Sequence, residues 1–100
     1  MSLNITKQQN ESTLVVTLAG SLDTMTAQEL EDSLETIPDE VTELVFDFTD
    51  LNYISSAGLR IMLTSYKRMA GKGHMKIRNL NPVLQEVFDV TGLSESIDIE

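Results

Sequence analysis

Hydrophobic positions recur along this chain with a spacing of two in some stretches and a spacing of three or four in others, and the changes of period divide it into elements. Leu3, Ile5 and Lys7 alternate with polar residues, and Gln9-Asn10-Glu11-Ser12 has the composition of a turn. Leu14-Val15-Val16-Thr17-Leu18-Ala19 is β-branched and stops at Gly20. Together these predict a hairpin with strands over 2–8 and 13–19. Gly20-Ser21-Leu22-Asp23-Thr24-Met25 is expected to be a loop. Thr26-x-x-Glu29 has the form of a capping box, in which a hydroxyl and a carboxylate satisfy orphan N–H groups at a helix start. Ala27, Leu30, Leu34 and Ile37 then follow at helical spacing, with Glu29, Glu31, Asp32 and Glu35 forming an acidic opposite face, until Pro38 ends the helix.

Glu43-Leu44-Val45-Phe46-Asp47-Phe48 is too short for a helix and suits a strand buried on both faces, as in a parallel sheet. A second helix is predicted from Ser55-Ser56 to Met69 or Ala70, with Leu59, Met62, Leu63, Tyr66 and Ala70 on one face and Gly71-Lys72-Gly73 beyond its end. His74 to Arg78 alternates and is expected to be a strand. Asn81-Pro82 opens a third helix, since Asn caps and Pro fits the first turn. Val83 or Leu84, then Val87 and Phe88, supply its apolar face, and Gly92 its C-terminal cap. The tail from Leu93 to Glu100 is partly apolar and receives no element. The order β-β-α-β-α-β-α implies an α/β fold, a mixed sheet with helices packed against it, in a single domain spanning 1–100.

Composition narrows the function. Of 100 residues, 41% are hydrophobic and 23% charged, the mix of an ordinary globular domain. The absence of cysteine excludes disulfides, zinc–cysteine sites, iron–sulfur clusters and thiol catalysis. His74 is the one histidine, too few for a histidine-rich metal site. No metal and no cofactor are expected. The net charge of −9 disfavours nucleic acid and anionic membranes, which are bound by Lys and Arg, and favours a partner with a basic surface. The start MSLNITKQ has no signal-peptide pattern, and no apolar run is long enough for a membrane span, so a cytoplasmic location without membrane insertion is expected.

The most informative stretch runs from Asp47 to Arg60. It sets Ser55 and Ser56 at a helix start, after a loop that follows a strand. There the unsatisfied N–H groups and partial positive charge stabilise a phosphate, so a serine in the first turn can carry one without unfolding the helix. The plainer reading is that serines at helix starts are caps. Ala57-Gly58 bears equally on two readings: close approach of a partner to exposed backbone, or tight packing of the helix on the sheet.

Two motifs give this stretch a family. Gly20-Ser21-Leu22-Asp23-Thr24-Met25-Thr26-Ala27-Gln28-Glu29-Leu30 resembles the Gly-x-Leu-Asp loop and Thr-Ala-x-x-Leu helix start of the STAS domain, the fold of anti-sigma factor antagonists. Tyr53-Ile54-Ser55-Ser56-Ala57-Gly58-Leu59-Arg60-Ile61-Met62-Leu63 is similar to that family's Asp-Ser-Ser/Ala-Gly-Leu signature, and Val87-Phe88-Asp89-Val90-Thr91-Gly92-Leu93 also fits. The resemblance implies a regulatory binding protein and not an enzyme. Its unphosphorylated form would bind an anti-sigma factor and release a sigma factor. That anti-sigma factor, a GHKL-type serine kinase, would switch it off by phosphorylating Ser56, and a PP2C-type phosphatase would restore it. The partner surface so implied comprises Asp23, Ser55, Ser56, Ala57, Gly58 and Arg60. This chain has Ser55 where the family has aspartate before the acceptor; Ser can replace Asp as a cap, and two adjacent hydroxyls make Ser55 the second candidate acceptor. The alternative is a non-phosphorylated STAS adaptor, such as the small subunit of a lipid-transport ABC complex, gripping a permease with the same helix face.

Other chemistry fits less well. Asp47 and Asp50 suggest a receiver domain, but that chemistry needs more acids after the first strand than Asp23 alone. Asp47 is expected to be a polar strand position and Asp50 a loop residue. His74 has no nucleophile and orienting acid around it and is expected in an exposed loop. Met62, Met69 and Met75 fill core or groove. Lys67, Arg68, Lys72, Lys76 and Arg78 form either a solvated face or a docking patch for an acidic element.

Overall fold

The computed structural model describes residues 2–100. The elements are β1 (Leu3–Asn10), β2 (Thr13–Leu22), α1 (Ala27–Leu34), β3 (Glu43–Ile54), α2 (Ser56–Ala70), β4 (His74–Arg78), α3 (Pro82–Val90), α4 (Leu93–Ser96) and β5 (Asp98–Ile99). The five strands lie in one sheet in the order β1-β2-β3-β4-β5, with β1 antiparallel to β2 and every later neighbour parallel. Each parallel connection carries a helix and steps the same way across the sheet. Right-handed crossovers of that kind put all their helices on one face. The contacts agree. Lys7 on the covered face reaches Ser33 and Thr36 at the end of α1, Arg68 of α2 donates to the Leu34 carbonyl, and Phe88 of α3 packs edge-on against Phe48. The fold is therefore two layers with one sheet face open.

The core lies between sheet and helices. Leu14, Val16 and Leu18 of β2, Leu44, Phe46 and Phe48 of β3, and Met75 and Ile77 of β4 are buried there, against Leu30, Leu34, Ile61, Met62, Met69, Leu84 and Phe88. The three methionines named from the sequence are thus core residues. The α2 stripe is rotated from its expected position. Gly58, Ile61, Met62, Ser65 and Met69 are buried, Leu59 and Tyr66 are half-buried, and Ala70 is exposed. On α3 the inward residues are Leu84 and Phe88, while Val83 is exposed.

Three expectations are corrected. Gly20, Ser21 and Leu22 are strand and not loop, because β2 runs on beside the second half of β3. Asp50 likewise lies on β3, which continues to Ile54. Against the 10 residues of β2, β3 uses 12, and the register slips between Thr17 and Ala19 and again between Gly20 and Ser21. Each slip is a β-bulge, one extra residue on β3. Beyond Phe48 the buried positions are therefore Leu51 and Ile54, a spacing that alternation does not reveal. Finally, the tail forms α4 and a short parallel β5 on the edge of β4, with Ile97 buried and the Glu100 N–H donating to the Ile77 carbonyl.

The open face carries its charges in pairs. Arg78 Nε lies 3.2 Å from Asp47 Oδ2, and Lys76 Nζ lies 3.0 Å from Glu100 Oε2. His74 is exposed at the first position of β4, between Glu43 and Asp98. Of the lysine and arginine cluster, Lys76 and Arg78 lie on this face, Lys67 and Arg68 on α2 with Arg68 turned onto α1, and Lys72 in the turn that follows α2. Among the described residues no three His, Asp or Glu side chains are grouped to hold a metal, and no helix is long and apolar enough to cross a membrane.

Candidate functional site

The C-terminal ends of the parallel strands bring the two sequence motifs together. Leu22 pairs with Ile54 in register, and the Ser55 N–H donates to the Leu22 carbonyl at 2.8 Å. Asp23 and Ser55 therefore leave adjacent strand ends side by side. From there β2 turns into α1 and β3 into α2.

The turn into α1 is capped by Asp23 and not by Thr26. Asp23 Oδ1 accepts from the N–H groups of Met25 and Thr26, both at 2.9 Å, and the Thr26 hydroxyl accepts from the Asp23 N–H at 2.9 Å. This is a reciprocal capping box one turn earlier than expected, with threonine in the place of the glutamate. Thr26 already has helical backbone angles; it is buried, and its hydroxyl donates to the Ser21 carbonyl at 2.8 Å. The hydrogen bond from the Thr26 N–H, with that from Met25, outweighs partial burial and holds the Asp23 carboxyl below its ordinary pKa.

The two serines have different places. Ser55 is the N-cap of α2: its backbone is extended, its Oγ accepts from the Gly58 N–H at 3.3 Å, and its carbonyl accepts the first helical bond from Leu59 at 2.9 Å. Ser56, the first helical residue, is exposed. Ala57 is half-buried against the core. Gly58 is buried, and a Cβ there would lie 2.7–2.9 Å from Leu22 and Ile54. Of the two readings of Ala57-Gly58, packing is the one realised at Gly58: its backbone meets the protein's own strand ends, so it belongs under the surface and not on it. Arg60 is exposed four residues beyond Ser56, on the same helix face.

The periodic pattern of the sequence does not signal the exposure of the apolar residues at this end, and it offers Val83 for the apolar face of the third helix. Met25 is 84% exposed in the β2–α1 turn, Tyr53 48% at the end of β3, and Val83 67% in the first turn of α3. The start of α3 is tied in by Asn81, which caps Leu84 N–H at 2.9 Å and donates to the Leu51 carbonyl at 3.3 Å. Large apolar side chains exposed near one another are characteristic of a protein–protein contact, and Val83 also shares a groove along α3 with Val90, which is 79% exposed at the far end of that helix. The available signal was that Met25 and Tyr53 fall outside every periodic stripe.

A mainly parallel sheet with an N-terminal hairpin and its helices on one face is an α/β domain of two layers, here with two serines at the opening of its second helix. The sequence model of the STAS domain matches residues 4–100, and the chain belongs to this family. The anti-sigma-B factor antagonist of Bacillus subtilis is 32% identical over 100 residues, covering 99% of this chain and 92% of that protein. The crystal structure of an anti-sigma factor antagonist from Mycobacterium paratuberculosis superposes with a TM-score of 0.89 at 22% identity, covering 98% of this chain and 85% of that one. The phosphorylated form of the Bacillus cell fate determinant SpoIIAA superposes at 0.76, again at 22% identity, over 97% and 91% of the two chains.

Proposed function

We propose that this protein is an anti-sigma factor antagonist: it binds an anti-sigma factor through the start of α2 and frees a sigma factor, until phosphorylation of Ser56 ends the contact. The observation that carries this reading is the division of labour between the serines. Ser55 Oγ is engaged in capping, whereas Ser56 is exposed at a helix start that a kinase can reach. That ranks Ser56 ahead of Ser55 as acceptor. Met25, Tyr53 and Val83 supply apolar contact area at the same end, and Asp23 and Arg60 supply charge. The relationship to an anti-sigma-B factor antagonist supports the same partner class. On this reading the protein is substrate and ligand, not enzyme. The kinase is the GHKL-type anti-sigma factor itself, and a PP2C-type phosphatase reverses the modification.

The mechanism is electrostatic. A phosphoserine adds about −1.5 to −2 charges. The helix N-terminus stabilises that charge in the free protein. In the complex the same group is enclosed beside the ionised Asp23, in a chain of net charge −9, and burying an uncompensated charge costs several kcal/mol against the ~1.4 kcal/mol of a tenfold loss. The test is incubation with the cognate kinase and ATP, intact-mass measurement, and titration of Ser56→Ala and Ser56→Asp against that kinase. One phosphate that Ser56→Ala abolishes, with binding weakened at least tenfold by Ser56→Asp, is expected. Unchanged affinity for Ser56→Asp overturns the switch, and co-purification with a permease without phosphate favours an adaptor.

A further inference from the structure

The edge of the sheet at β1 is unusually undefended. β1 is 8 residues long, stands first in the strand order, and pairs with β2 in unbroken register from Leu3 opposite Gly20 to Asn10 opposite Thr13. Along its other side no strand lies among the described residues, so alternate N–H and C=O groups face outward. Proteins ordinarily blunt such an edge with proline, a bulge, a very short strand or charge. LNITKQQN has no proline and no acid, and its single cation is Lys7. The Lys7 ammonium is turned onto the helix layer, donating to the Ser33 carbonyl at 3.0 Å and to Thr36 Oγ1 at 3.2 Å. In a chain of net charge −9, an acid-free edge is where two copies approach with least repulsion.

We infer that β1 is a self-association edge, on which a second copy of this chain pairs its own β1 antiparallel about a two-fold axis at Thr6. Thr6 then faces Thr6 and Asn4 faces Gln8 on the open side of the sheet. Ile5 faces Lys7 and Leu3 faces Gln9 on the helix side. No like charges oppose each other, and a threonine pair is a favourable cross-strand partner. Ile5 of the second copy comes to lie beside the crevice that Lys7, Gln9, Leu14, Ile37 and Pro38 form at the sheet edge, where its side chain covers apolar surface. The contact is isologous and closes at two chains. The serine site lies at the end of β3, two strands away, and stays open in both copies.

Sedimentation equilibrium of the wild type, Thr6→Asp and Thr6→Lys tests this over concentrations from about 1 μM to about 1 mM, the range of weak to moderate association. A monomer–dimer equilibrium is expected for the wild type, weakened at least tenfold in each variant and restored when the two variants are mixed in equal amounts. That restoration separates charge repulsion from misfolding. Thr6→Cys, in a chain that has no cysteine, is expected to give a disulfide-linked dimer on oxidation. A wild type that stays monomeric throughout overturns the inference, as does a dimer that neither charged variant weakens, which would place the contact elsewhere.

Discussion

At Ser55 and Ser56, neighbouring and chemically identical hydroxyls occupy different places, one engaged in a helix cap and the other exposed. Ser55 accepts from the Gly58 N–H and satisfies one of the orphan donors of α2, whereas the exposure of Ser56 leaves it available to other proteins. Removing a cap costs typically ~1 kcal/mol, and the 3.3 Å length of this bond places Ser55→Ala at the lower end, about 0.5–1 kcal/mol. Ser56→Ala is expected to stay within about 0.5 kcal/mol of the wild type. Urea unfolding of the two variants checks the contrast; equal losses would contradict the assignment of the cap. This distinction was only half legible in the sequence. Serine before a helical stripe signals a cap, but which of two adjacent serines has extended backbone is set by where β3 ends against β2. Asp23 shows the same limit. Its motif marked it, yet its capping role emerged only when the reciprocal hydrogen bonds proved to close the turn before α1, between Asp23 and Thr26.

Among the elements, α2 and β3 depend most on each other. Gly58 lets the first turn of α2 settle on Leu22 and Ile54, where a Cβ would be held at 2.7–2.9 Å. Helix propensity alone makes Gly58→Ala stabilising by about 1 kcal/mol. Overpacking of this kind costs ~1–3 kcal/mol, so a net destabilisation of up to about 2 kcal/mol is expected, read as a lower urea midpoint with an unchanged slope. A more stable Gly58→Ala protein would show that α2 can lift off its strands without cost. The second half of β3 was hidden for a related reason. Its bulges insert residues that the ladder skips, so inward positions pass from Phe48 to Leu51 to Ile54, and a period-two search stops at Phe48. β5 was hidden because it has only two residues and takes its strand geometry from the edge of β4. The hairpin, the β4 strand and the three longer helices were legible because their apolar spacing is unbroken.

Over the whole molecule, charge decides the response to acid. At neutral pH the net charge of −9 opposes compaction, and protonating exposed carboxylates relieves that repulsion. Asp47 acts in the opposite direction. Partial burial pushes its carboxyl up, but hydrogen bonds from the Thr49 hydroxyl and N–H, from Asn79 and from Arg78 outweigh burial and bring it from 3.8 down to about 2. A carboxyl whose pKa is lower folded than unfolded contributes stability above the unfolded value, and that contribution disappears as pH falls through the folded value. Stability is therefore expected to hold or rise from pH 7 to about 4, then to lose ~1–2 kcal/mol from Asp47 between 3.8 and about 2. Urea titrations at stepped pH check this. Asp47→Asn should be less stable at neutral pH and show a smaller acid loss; an identical acid profile would remove Asp47 as the cause.

Local interactions determined much of this protein within the sequence itself. Period, caps and helix-ending residues act over a few positions, so the hairpin, the helices, the mixed α/β order and the serine pair at a helix start follow from neighbours along the chain. Tertiary packing alone decided the bulges of β3, the docking of β5, the burial of Gly58, and the placing of Asp23 and Ser55 at adjacent strand ends. Those features depend on contacts between residues far apart in the chain, whose geometry exists only once the sheet has set the strand ends side by side.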